Sequence, residues 1–141
     1  LNRDLGISIL YVTHDLTTAY QICESIIIMY RGAVVEAGSV EEVIRKPKHP
    51  YTQLLVESIP KMHAVRDWEQ DEKGETLATL DEVRPTTGCK FADRCPKVMD
   101  KCWSSQPPLY RTDDARVARC FLYEDAPVLE DADVTPTLMR S

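Results

Sequence analysis

Four of the chain's five cysteines fall between Cys89 and Cys120, a stretch of 32 residues with few long apolar runs to build a core. Their spacing is Cys89-x5-Cys95-x6-Cys102-x17-Cys120, and the fifth, Cys23, stands far upstream. Such a segment is expected to be loop-rich and to depend for its fold on what its thiols bind. The opening residues do not read as a secretory signal, so a metal or cluster is favoured over a disulfide framework. Structural zinc sites usually draw two ligands from a C-x2–4-C pair, and there is none here. A cuboidal iron–sulfur cluster takes one thiolate at each iron and accommodates wider spacing. An iron–sulfur cluster is therefore preferred, with zinc, and free or disulfide-linked thiols, left open.

The rest of the chain bounds the function class. A net charge of −6 without a strongly basic patch argues against a nucleic-acid partner. The longest apolar runs, Ile7–Val12 and Ile26–Tyr30, are strand-sized and far too short to span a bilayer. The first residue is not Met, and residues 1–6 read as the end of a helix capped by Gly6, which predicts a start in the middle of a domain.

Residues 7–13 form a nearly continuous apolar run, as expected of a strand buried on both faces of a parallel sheet. Asp15 is placed to cap a helix over about 16–24, with Leu16, Ala19, Tyr20 and Cys23 on one side. Strands at 26–30 and 33–36 around Arg31-Gly32 predict a hairpin. Ser39 and Glu42 have capping-box spacing for a short helix to about Arg45. His49-Pro50 starts another helix, ended by Pro60, with an apolar stripe of Tyr51, Leu54, Leu55 and Ile59. Residues 61–76 read as a solvated linker and 77–88 as one short strand before a turn. The acidic tail, 124–141, is expected to be mobile.

A polar triplet, Thr13-His14-Asp15, ends the first apolar run, and open α/β sheets place ligand chemistry at the carboxyl ends of their strands. The run ILYVTHDLTTAYQICESIIIMYRGAVVEAG resembles the end of an ABC-transporter ATPase domain. The resemblance implies that His14 is the switch histidine, which reaches the γ-phosphate of ATP and positions the attacking water, and that Asp15 is the acidic residue beside it. Positioning and charge stabilisation of that kind carry most of phosphoryl-transfer catalysis. The chain contains no GxxxxGK[ST] phosphate loop, so hydrolysis is not expected from these residues alone.

RKPKHPYTQLLVESIP resembles the opening of the C-terminal extension of oligopeptide and dipeptide importer ATPases. His49 and Tyr51 are read there as cap and packing, without a catalytic role. The segment TGCKFADRCPKVMDKCWSSQPPL, followed by ARVARCFL, resembles the cysteine module of the same importers. That resemblance implies a [4Fe-4S] cluster on Cys89, Cys95, Cys102 and Cys120. Lys90 stands where the family often has Pro, and the approach to Cys120 is the least typical part. Phe91 and Trp103 are expected to shield the cluster, and Cys23 to pack in a core. Glu41-Glu42 and Asp113-Asp114 are expected to be cap and solvated surface.

The expectation is thus an α/β chain: the C-terminal portion of a P-loop ABC ATPase domain over 1–46, and an oligopeptide/dipeptide transporter extension over 47–123. The extension carries the loop-rich four-cysteine module at 89–120, and a flexible acidic tail follows over 124–141. Implied with it are ATP and Mg2+, a second ATPase subunit and membrane permease subunits. An extracellular peptide-binding protein is implied indirectly, with a peripheral place on the cytoplasmic face of the membrane. Two rivals remain open: a non-enzymatic metal- or iron–sulfur-binding scaffold, and a soluble electron carrier.

Overall fold

The first regular element grows from Asp15, whose carboxylate accepts the Thr17 amide at 3.0 Å and so caps helix α1, Leu16–Ile22. Strands β1, Ser25–Tyr30, and β2, Ala33–Ser39, follow as an antiparallel hairpin. Its turn is Arg31-Gly32, both with positive φ, the backbone that matches the twist of the flanking strands. Helices α2, Val40–Arg45, and α3, Pro50–Glu57, come next, Pro50 occupying the first turn of α3. The computed structural model describes residues 6–59 and 87–139. The linker expected over 61–76, and nearly all of the strand expected over 77–88, lie outside them.

The second described stretch contributes α4, Asp100–Ser104, strands β3, Tyr110–Asp113, and β4, Arg116–Ala118, and α5, Thr135–Leu138. Strand β4 pairs with β2, so hairpin and cysteine segment share one four-stranded antiparallel sheet in the order β1-β2-β4-β3. Val35, Glu36, Ala37 and Gly38 are all buried, as befits a central strand covered on both faces. One core cluster, Ile28, Val35 and Val43, gathers Leu16, Ile26, Tyr30, Tyr51 and Leu55 around it. A second, Ala37, Leu109 and Val117, is covered by Val34, Leu129, Val134 and Leu138. Each fully buried aliphatic side chain of this kind contributes on the order of 1.5–3 kcal/mol.

Three expectations are corrected. Residues 7–13 form no strand, and the described sheet is antiparallel throughout. A buried parallel strand needs neighbours on its flanks, and none of the described strands pairs with this run, so its side chains stand in water. Ser39 precedes α2 without the side-chain hydrogen bond of a capping box. The expected mobile tail is tied to the sheet at a few points, although most of 124–139 is exposed. The Arg111 amide donates to the Pro127 carbonyl and the Leu129 amide to the Leu109 carbonyl, both at 2.7 Å, while Val134 and Leu138 cover the second core. The tail's sparse aliphatic residues are the ones that meet the sheet.

Candidate functional site

Two places carry the residues singled out by sequence. The first is the triplet before α1. Thr13 Oγ1 accepts the Asp15 amide at 3.0 Å, and the Asp15 carboxylate accepts both the Thr17 amide and the Thr18 hydroxyl. The Thr18 hydrogen bond is the main reason that Asp15 stays ionised below the usual carboxylate range. Asp15 is thus engaged as a helix cap, while His14, the next residue back, is solvent-exposed at the end of the apolar run.

The second is a recess in the cysteine segment. Cys89, Cys95, Cys102 and Cys120 all line it, together with apolar walls that include Phe91, Met99 and Pro107. Sequence brings the four together through tight local turns. The Cys89 amide donates to the Cys102 carbonyl at 2.8 Å, and the Ala92 and Val98 amides close turns on the Cys89 and Cys95 carbonyls. Gly88 makes the Cys89–Cys102 approach possible, because a Cβ there would meet the Cys102 carbonyl oxygen at 2.2 Å. Cys120 arrives at the end of β4, held in place by the sheet. Phe91 is buried in the wall as expected, whereas Trp103 is substantially exposed and outside it. Cys23 sits at the end of α1, away from the recess.

None of the five cysteines is disulfide-bonded. Burial pushes the thiols of Cys89 and Cys95 above their ordinary range and that of Cys120 up to about 11. Cys102 adds to the rise at Cys89, Cys89 and Cys102 add to it at Cys95, and all three others add to it at Cys120. Cys89, Cys95 and Cys120 are therefore protonated unless a metal displaces their protons. Among the described residues, no three His, Cys, Asp or Glu side chains are drawn close enough to hold a metal ion. The compact tetrahedral zinc site weighed as an alternative is thus not preassembled among the described residues.

Several buried polar residues around the recess escaped the sequence reading. Glu36, fully buried on β2, accepts the amides of Lys48 and His49 at 2.9 Å each and so fixes the approach to α3. Burial raises its carboxyl above the ordinary range, against the opposing pull of those amides and of Arg116. His49 caps α3 by accepting the Tyr51 amide on Nδ1 at 3.0 Å, and its ring donates to the Arg119 carbonyl. Burial lowers its pKa to about 4, so the ring is neutral where it borders the recess. Arg116 donates to the Glu42 and Lys46 carbonyls at the end of α2 and pairs with Asp113, which is thereby more than the solvated surface expected of it. The only signal for Glu36 was an acid inside an apolar strand. The arginines carried none.

Residues 35–102, from β2 through most of α4, match the family described as "Oligopeptide/dipeptide transporter, C-terminal region". An oligopeptide transport ATP-binding protein of Bacillus subtilis is 45% identical over 125 residues, 89% of this chain and 37% of its own length. A putative peptide import ATP-binding protein of Brucella ovis is 34% identical over 130 residues, 89% of this chain and 38% of its own. A dipeptide transport ATP-binding protein of Haemophilus influenzae is 31% identical over 121 residues, 86% of this chain and 36% of its own. The chain thus spans little more than a third of the length of these relatives. On the matched segment and these identities, the chain belongs to the family of oligopeptide and dipeptide ABC transporter ATP-binding proteins.

Proposed function

We propose that this chain is the C-terminal part of the ATP-hydrolysing subunit of a peptide importer. The observation that carries the reading is the exposed apolar run that ends in Thr13-His14-Asp15, in a chain matching a third of such subunits. An apolar run left uncovered in this way calls for a sheet from elsewhere in a longer polypeptide to take it in as a strand, and His14 would then stand at that sheet's carboxyl edge. There an imidazole can donate to the terminal phosphate of ATP held, with Mg2+, by residues outside this segment. Asp15 serves this by holding the start of α1 and so the position of His14. The subunit would work beside a second ATPase subunit, docked from the cytoplasmic side on membrane permease subunits, on peptides delivered by an extracellular binding protein. Among the described residues no helix is long and apolar enough to cross a membrane.

Residues 47–123 are read as the transporter extension, and the recess as its [4Fe-4S] site. The donor set fits: four sulfurs on one apolar wall, with no carboxylate among the lining residues. Cys89, Cys95, Cys102 and Cys120 would each hold one iron.

In a protein of the relatives' length, His14→Ala should nearly abolish ATP hydrolysis and spare nucleotide binding. Wild-type turnover in that variant refutes the assignment. Anaerobically purified protein should be brown and carry about four irons per chain, and one zinc without iron overturns the cluster reading.

A further inference from the structure

Two arginines of the β4 strand and its exit are treated very differently by the fold. Arg116 is neutralised by Asp113, just as Arg31 pairs with Asp93, Arg45 with Glu41, and Lys101 with Glu124. Arg119, half-buried one residue before Cys120, has no carboxylate partner among the described residues. It is nevertheless firmly held. Its Nε donates to the Val34 carbonyl at 2.8 Å and its Nη1 to the carbonyl of Pro107, in the recess wall, at 3.2 Å. Its backbone amide donates to Val35 at 2.8 Å, and its own carbonyl accepts the His49 ring.

Carbonyl dipoles ease the desolvation of a guanidinium but leave its charge uncompensated, and a partly buried cation without a counter-ion is costly. The sulfurs of the recess are its nearest anion-forming neighbours by placement: Cys120 adjoins it in the chain, and Pro107, whose carbonyl its Nη1 meets, lines the same recess as all four thiols. Lys97, the other cation at the recess, is exposed at the rim.

We propose that Arg119 is the built-in counter-charge and positioning residue for a net-anionic, four-thiolate group in the recess. The inference rests on the cluster reading above and adds to it the residue that sets the charge balance of the site. Clamped between β2, Pro107 and His49, Arg119 fixes where Cys120 enters the recess. Its charge opposes that of the ligated thiolates. A fixed positive charge beside a cluster favours the reduced, more negative state and raises the reduction potential.

The test uses the full-length protein purified anaerobically, with Arg119→Gln, Arg119→Lys and, as an exposed control, Arg45→Gln. Iron per chain, the rate of iron loss to a chelator, and the midpoint potential from a redox titration are measured. Arg119→Gln should lower the midpoint potential and lose iron about ten times faster. Arg119→Lys, which keeps the charge but not the fork, should hold a potential near that of the wild type even if it melts earlier. The Arg45 variant should match the wild type throughout. An Arg119→Gln protein with wild-type potential and iron retention overturns the proposal, as does an equal fall in potential in the Gln and Lys variants, which would mark a purely structural fork. If Arg119→Gln gives no loaded protein, Arg119→Lys decides: an unchanged potential supports the role and a large fall refutes it. Iron-free wild-type protein brings down the cluster reading itself, an outcome distinct from loaded protein with an indifferent Arg119.

Discussion

Leu10 and Val12 leave 87% and 86% of their surfaces in water, whereas Val43 and Val117, no more apolar, are completely buried. The runs that hold these residues differ less in composition than in where their partners lie. The β1–β2 hairpin meets its own antiparallel neighbour across two residues, and β4 and α2 complete its cover. A strand of the parallel kind pairs only across a crossover connection, with elements distant in sequence. An apolar run therefore specifies that it must be covered, but not by what. Residues 7–13 carry that demand unmet, and the sheet meets its own.

The strongest way to sharpen this contrast is a truncation in the satisfied region. Ile44→Ala removes a side chain that is only 1% exposed on α2, and should destabilise the chain by about 2–5 kcal/mol in urea unfolding. A cost near zero would mean that α2 is not packed as described. A smaller effect is expected at the polar joint of the same region. Glu36→Gln keeps the shape but leaves one of the Lys48 and His49 amides with a poorer acceptor, a loss of about 1–3 kcal/mol. Its size should vary with pH. The Glu36 carboxyl is raised by burial, so its contribution is fully present below its ordinary value of 4.5 and is lost as pH rises through the folded-state value. The wild type should accordingly hold its largest advantage over Gln in acid and lose ground as the pH rises. A gap that widens with pH contradicts the burial of this group.

What the sequence made legible is what local chemistry decides. Asp15 before α1, Arg31-Gly32 between the strands and Pro50 in the first turn of α3 each act within a few residues, and each appears where expected. The Ser39–Glu42 spacing misled because the backbone runs into α2 straight from β2, with the Val40 amide already bonded to the Glu24 carbonyl. The tail looked too acidic to pack, yet Leu129, Val134 and Leu138 suffice to cover Ala37 and Val117. The cysteine spacing singled out the four thiols that line the recess. It did not foretell the buried polar frame, because, the local Arg116–Asp113 pair aside, the hydrogen bonds of Glu36, Arg116 and Arg119 span 12 to 85 residues. Nothing in local composition marks which carbonyl a distant guanidinium will find.

The smallest predicted effect tests the other side of the comparison. Leu10→Ala in the 141-residue chain should shift unfolding by no more than about 0.5 kcal/mol, since the side chain already stands in water. In a polypeptide of the relatives' length, where the proposed sheet would cover it, the same substitution should cost about 2–5 kcal/mol. The informative quantity is the difference between the two measurements, because the chemistry of the substitution is the same in both. A large loss in the short chain would mean that the run is already covered there. A negligible loss in the long one would mean that no sheet comes to meet it, and His14 would then have no strand end to stand on.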